Sequence, residues 1–322
     1  SKPYTNDGLL ATVEKTLAER NLRIENLQIQ KYLSKASRRI AVEKSILLDH
    51  SSQTFAQNTK ATIFFSDIVG FTNRCERYSA EDIVSQINKL FDFITGVIVE
   101  HDGDIDKFIG DACMAFWLDD DHDVSVVNAV RTVLAMNENI ERFNNSIPDL
   151  AQDPIHLRVG LNTGDVILCD IGASSNRVDL TIIGDAVNVA SRMESAAKLY
   201  GLDHLISEGT VHRTNDNFEY RLIDRVIVKG KNEPVNCYQL LSEKGHSSSV
   251  QQALQEIYHQ ALQAYFSGDF NAAVQGFKKS SEFEDSGVYA NLNPSQVFLN
   301  RCDRLIDEKP KQWNGIWEFL DK

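Results

Sequence analysis

The sequence predicts an α+β chain whose central segment mixes strands and helices, with a helical segment on each side. Three observations carry this. Residues 60–242 alternate between strand-like and helix-like runs in the order strand, helix, strand, strand, helix, strand, the signature of a split β-α-β sandwich. Residues 8–33 repeat apolar side chains at helical spacing, and residues 250–322 read as wholly helical. A length of 322 residues suggests about two domains, and 42% hydrophobic with 25% charged residues is ordinary globular composition. Segment boundaries are expected at 1–53, 54–242 and 243–322.

Taken in chain order, Leu10, Leu17 and Ile24 recur every seven residues, with Val13 and Leu27 in the companion positions and Arg20 interrupting the row. That is the seam of a short parallel dimeric coiled coil; the alternative is a single amphipathic helix lying on the next domain. Residues 34–59 read as a connector. Ala61 to Phe65 is a strand ending in Ser66-Asp67. Ser79 caps a helix, with Asp82 in the capping-box position and Ile83, Ile87, Leu90, Phe91, Ile94, Val97 and Ile98 on one stripe. Asp102-Gly103-Asp104 turns the chain into a strand pair flanking Gly110-Asp111, the second strand running from Ala112 to Trp117. A helix then presents Val126, Val127, Val130, Val133, Leu134 and Ile140. Ile155–Leu161 and Asp165–Ile171 read as two strands around a turn at Asn162 to Gly164. Gly184–Leu199 reads as a helix opened by Asp185, followed by strands at Phe218–Val228 and Val235–Leu241. Gly245 and its neighbouring serines mark a linker over 243–249. Beyond it, Ala261, Tyr265, Gly268, Asp269, Phe270, Ala273 and Phe277 resemble one tetratricopeptide unit, expected to pack on the core rather than to form a peptide groove.

Composition narrows the function classes. A net charge of −13 and a pI of about 5.1 repel phosphate backbones, which disfavours nucleic-acid partners but leaves room for a small anion held by a local cation. Five widely spaced cysteines without a CxxC pair read as reduced thiols, not a disulfide frame or zinc site. The longest apolar run, Ala112 to Leu118, falls far short of the ~20 residues that a membrane span needs, and the polar start at Ser1 to Asp7 is not followed by the apolar stretch of a signal peptide.

Four stretches carry chemistry. In Phe64-Phe65-Ser66-Asp67-Ile68-Val69-Gly70-Phe71-Thr72, a strand ends in an aspartate and turns through glycine with free backbone amides, which suits a metal ligand beside a phosphate-cradling loop. In Asp106-Lys107-Phe108-Ile109-Gly110-Asp111, a second aspartate occupies a tight turn. If the two hairpins are neighbours, Asp67 and Asp111 converge on two-metal geometry. Asn188 and Arg192 share a helix face in the stretch from Thr181 to Arg192, and Lys229 stands between Val228 and Gly230. Taken singly, each has an ordinary reading as a cap, turn or solvated surface.

Jointly, and in this order over about residues 58–242, they resemble the class III nucleotidyl cyclases, the adenylate and guanylate cyclases. The resemblance implies a ferredoxin-like split β-α-β catalytic domain. It implies Asp67 and Asp111 as metal-binding aspartates for two Mg2+ or Mn2+ ions, with the Ile68 carbonyl as a further ligand, and Gly70, Phe71 and Thr72 along the phosphates. It implies Lys107 and Thr181 as purine readers, and Asn188 and Arg192 as the pair that orients the ribose and stabilises the transition state. Lys229 would grip the terminal phosphates, and Arg158 would add a phosphate contact. Lys107 offers only donors and so suits the acceptor N1 of adenine, while Thr181 can accept from the exocyclic amine; guanine would favour a carboxylate at position 107. The expectation is therefore conversion of ATP to 3′,5′-cyclic AMP and pyrophosphate.

The resemblance also implies a head-to-tail homodimer whose sites take Asp67 and Asp111 from one chain and Lys107, Thr181, Asn188, Arg192 and Lys229 from the other. A cytoplasmic catalytic part is expected, with input from an upstream sensor or membrane domain of a longer chain. The competing readings are a guanylate cyclase and a catalytically silent nucleotide-sensing dimer. A diguanylate cyclase is disfavoured because Gly110-Asp111-Ala112 stands in place of its signature.

Overall fold

The computed structural model describes residues 55–119, 123–173, 177–227, 234–284, 292–310 and 312–317. The seam expected over residues 8–33, and Lys229, lie outside them. Strand β1 (Ala56–Ile68) is followed by α1 (Phe71–Arg77), α2 (Ala80–Glu100), β2 (Asp104–Ile109), β3 (Ala112–Leu118), α3 (Val124–Asn145) and α4 (Pro148–Gln152). Then come β4 (Leu157–Ala173), β5 (Arg177–Ile183), α5 (Asp185–Ala197), a short 3-10 turn at Lys198–Tyr200, β6 (His204–Ser207), α6 (Glu208–Thr214), β7 (Phe218–Val226) and β8 (Val235–Glu243). Helices α7 (Ser249–Ser267), α8 (Phe270–Ser281) and α9 (Pro294–Glu308) form an all-α region. The strands make one mixed sheet in the order β2-β3-β1-β4-β6-β8-β7, with β5 paired to β4; only β4 and β6 run parallel among these pairs.

Side-chain alternation along the strands feeds two cores on opposite faces of the sheet. Phe64 and Ile68 of β1 join Leu90, Ile94 and Ile98 of α2 and Val130 and Val133 of α3. Leu205, next to Ile206 in β6, goes to the other core with Val189 and Met193 of α5 and Tyr258, Tyr265, Phe277 and Phe298 of α7–α9. Ser79 caps α2 by accepting from the Asp82 backbone N–H, as its position in the sequence implied.

One expected turn is absent. Asn162 to Gly164 lie in the middle of a single seventeen-residue strand, β4, not between two strands. Here asparagine and glycine serve packing. The Asn162 amide donates to the Ala186 carbonyl at 2.8 Å and its oxygen accepts from Ser207 at 2.6 Å. A Cβ at position 164 would stand 2.8 Å from the Ala186 Cβ, so glycine lets α5 lie close on the strand.

The C-terminal helices are bolted to the sheet, and their inward aromatic rings pack on one another. Gln255 and Tyr258 of α7 donate to the Tyr220 and Ile223 carbonyls of edge strand β7, at 2.7 and 3.0 Å. Residues 309–310 and 312–317, the described part of the chain after α9, form no helix, contrary to expectation, and Trp317 pairs with Val226 as an isolated bridge. Arg301 of α9 reaches Asp224 of β7 at 2.6 Å, and Tyr200, at the end of α5, donates to the same Asp224 oxygen at 2.6 Å. Among the described residues, no helix is long and apolar enough to cross a membrane.

Removing one partner of a buried ion pair strands the other charge. Asp224 and Arg301 side chains are 0% and 5% exposed, so Asp224→Ala is expected to cost about 3–5 kcal/mol in denaturant unfolding. Arg304→Ala breaks an exposed pair with Glu308 and is expected to cost under about 1 kcal/mol.

Candidate active site

Asp67 stands at the end of β1, on the face opposite the core residue Ile68, and is paired across the sheet with Arg158 of β4. Asp111 is delivered by the two-residue turn between β2 and β3, where Gly110 takes the left-handed conformation at φ 65°. Because β3 lies beside β1, the turn brings the Asp111 carboxyl within hydrogen-bond reach of Asp67. Burial and then the facing Asp67 push Asp111 up to about 6, although backbone N–H groups of Asp111 itself and Ile68 donate to it. Two carboxylates forced together, beside the Ile68 backbone, form a hard-oxygen set that a divalent cation relieves. Such a pair of carboxylates suits an ion that completes its shell with substrate phosphates and water; the described residues hold no cluster of three or more His, Cys, Asp or Glu suited to a metal.

Arg158 sits against this pair. Its Nη2 donates to Asp67 Oδ2 at 2.6 Å and its Nε to Glu194 Oε1 of α5 at 2.7 Å, with the residue 8% exposed. The resemblance implied a phosphate contact for Arg158; in the structure its guanidinium lies against two carboxylates of its own chain.

A second group forms where β5, paired with β4, also touches β2. Lys107 Nζ donates to Thr181 Oγ1 at 3.2 Å, and Thr181 Oγ1 donates to Asp106 Oδ2 at 3.0 Å. Lys107 Nζ also lies 3.2 Å from Asp106 Oδ2. Helix α5 carries exposed Asn188 and half-buried Arg192 one turn apart. Gly70 (φ 70°) opens α1, whose first-turn N–H groups at Phe71 and Thr72 have no partner within the helix.

Two members of these clusters escaped the sequence reading. Glu194 follows Arg192 by two residues, but its partner Arg158 is 36 positions away. Asp106 adjoins Lys107, and strand alternation would send the two to opposite faces; a register shift between Ile105 and Lys107 marks a bulge that aims both at Thr181. An aspartate preceding a lysine in a short strand was the available signal.

Asp111 supplies a pH test. Its folded value of about 6 lies above the ordinary 3.8, so its contribution to stability is present below about 3.8 and lost as pH rises through 6. In metal-free protein at pH 7.5, Asp111→Asn is therefore expected to melt a few degrees above the wild type, the gap closing toward pH 4. Mg2+ or Mn2+ should raise the melting temperature of the wild type and not of the variant; scanning fluorimetry with and without chelator checks both.

The segment that carries these residues is similar to known proteins. The family described as adenylate and guanylate cyclase catalytic domain matches residues 54–242. A terminal-differentiation-specific adenylate cyclase of Dictyostelium discoideum is 33% identical over 249 residues, which is 76% of this chain and 11% of the relative. A receptor-type guanylate cyclase of Caenorhabditis elegans is 33% identical over 63% of this chain and 18% of its own length. The chain thus spans only a small part of these relatives. The crystal structure of the adenylyl cyclase CyaB from P. aeruginosa superposes with a TM-score of 0.54 at 33% identity, covering 60% of this chain and 100% of that one. The chain belongs to the family of adenylate and guanylate cyclase catalytic domains.

Proposed function

We propose that this chain is an adenylate cyclase, converting ATP to 3′,5′-cyclic AMP and pyrophosphate at sites shared between two copies. The observation that carries the choice of base is the Lys107–Thr181 contact of 3.2 Å. An ammonium that only donates, beside a hydroxyl that can accept, matches N1 and the exocyclic amine of adenine. Exposed Phe108, Ile109, Ile167, Ile171 and Ile183, on the β2–β3 and β4–β5 hairpins, supply apolar surface for the twin subunit.

In the reaction, the ribose 3′ oxygen forms a bond to the α-phosphorus, the bond from that phosphorus to the β-phosphate bridging oxygen breaks, and the 3′ proton leaves to solvent or substrate. Asp67, Asp111 and the Ile68 carbonyl of one chain would hold two Mg2+ or Mn2+ ions. When bound, these supply Lewis acidity at the α-phosphoryl group and favour ionisation of the 3′ hydroxyl. Arg158 holds Asp67 in place and partly offsets the charge of the paired carboxylates. Backbone N–H groups at Gly70, Phe71 and Thr72 face the triphosphate. From the other chain, Asn188 orients the ribose, Arg192 meets the charge that grows on the transferring phosphoryl group, and Lys229 takes the terminal phosphates.

The equal identity of a guanylate cyclase relative favours a second reading, in which GTP is the substrate. Mass detection of product from ATP and from GTP decides between them. Lys107→Glu is expected to lower kcat/KM for ATP by about 10–100-fold, the loss of a charged hydrogen bond plus a repulsive one; unchanged ATP turnover removes Lys107 from the purine pocket. Asp67→Asn and Arg192→Ala proteins should each be inactive. With free exchange in an equal mixture, half the dimers are mixed and each has one intact site of two, so activity should return to about a quarter of the wild type. No recovery despite demonstrated exchange would place each site within one chain.

A further inference from the structure

Asp106 is a carboxylate in an unusual place. Its side chain is 0% exposed, whereas the adjoining Lys107 side chain is 44% exposed. The bulge between Ile105 and Lys107 turns both residues toward Thr181 instead of letting them alternate. One oxygen, Oδ2, faces both the Lys107 ammonium and the Thr181 hydroxyl, while Oδ1 is buried with no hydrogen-bond partner.

This geometry settles proton positions. An ammonium can only donate, so the oxygen it faces is an acceptor. The Thr181 hydroxyl has one proton, and it is directed at that same oxygen. One Thr181 lone pair takes the Lys107 N–H, and the hydroxyl oxygen has a second with which to accept from a ligand. Burial raises the Asp106 carboxyl above its ordinary range, while Lys107 and the Thr181 hydroxyl draw it back. Were a proton taken up, the unpartnered Oδ1 is the oxygen free to carry it, and Oδ2 would still accept.

We propose that Asp106 is the positioning residue that fixes the donor–acceptor polarity of the purine pocket, by holding the Thr181 proton away from the base and the Lys107 ammonium beside it. The proposal rests on the reading that Lys107 and Thr181 face adenine. With its proton held by Asp106, Thr181 is an acceptor toward the exocyclic amine of adenine. The same oxygen repels the O6 acceptor of a 6-oxopurine. A threonine without this partner could rotate its hydroxyl and serve either base.

The test compares two substrates of the full chain that differ only in the amine, ATP and purine riboside triphosphate. Wild type should favour ATP in kcat/KM by about tenfold, the scale of one well-made hydrogen bond. Asp106→Leu frees the Thr181 hydroxyl to rotate, so the ATP-to-purine riboside triphosphate ratio should fall by only about two- to threefold, while the ATP-to-inosine triphosphate ratio should fall about tenfold. Should the leucine variant fail to fold, Asp106→Ala asks the same question. Asp106→Asn retains an oxygen for the Oδ2 position, with its amide nitrogen in place of Oδ1, and should keep most of the preference. Thr181→Val should abolish the preference, and adding Asp106→Leu to it should change the ratio no further. Damage to the fold alone lowers all three substrates alike and leaves both ratios as in wild type. That outcome, or loss of the preference in Asp106→Asn, overturns the role of Asp106 while adenine reading stands. A wild type that ignores the amine, or turns over only GTP, overturns the adenine reading itself and the proposal with it.

Discussion

The continuous antiparallel pairing of β1 with β4, from Ala56 opposite Cys169 to Ile68 opposite Leu157, is the constraint on which the site depends. It places Asp67 across from Arg158, and through β3 on its other side it sets where the Gly110–Asp111 turn ends. A one-residue slip would send each of these side chains to the other face of the sheet. Register is held because Phe64, Ile68, Val159 and Leu161 are all buried in the same core. The carboxylate pair is thus a local electrostatic conflict sustained by an apolar sheet, which is how strained functional groups persist in a stable protein.

Helix α5 packs in the second core. Asn188 and Arg192 lie on its open side, while Val189, Met193 and Ala197 pack with the C-terminal helices. At its end, Tyr200 shares Asp224 with Arg301 of α9. Arg221 of β7 pairs with Glu284, following α8, each side chain 3% exposed. The C-terminal region is therefore part of the support of the helix that carries the proposed ribose contacts. Breaking either buried pair would leave an uncompensated charge in the core, so the helices stay docked.

Much of the fold was legible because it rests on local patterning. The stripe from Ile83 to Ile98, the Ser79 cap, the Gly110-Asp111 turn and the Gly268-Asp269 break between α7 and α8 each follow from spacing and residue type. The misread segment, Asn162 to Gly164, shows the limit. Turn residues were present, but the side chain of one is a buried hydrogen-bonding group and the other admits a helix at close range. Both roles involve Ala186, which no local rule connects to the strand.

The sequence by itself determined which side chains are available: two aspartates at turns, a lysine and a threonine suited to a purine, an asparagine and arginine one helical turn apart. These follow from residue chemistry and from periods of 2 and 3.6 residues. Only the tertiary structure decided which of them meet. It turned Arg158 to Asp67 and Glu194, and it used a bulge to seat Asp106 between Lys107 and Thr181. Such contacts join residues 36 to 91 positions apart. They are set by strand register and helix packing, which sum many weak apolar contacts over the whole chain and leave no mark in any short window of it.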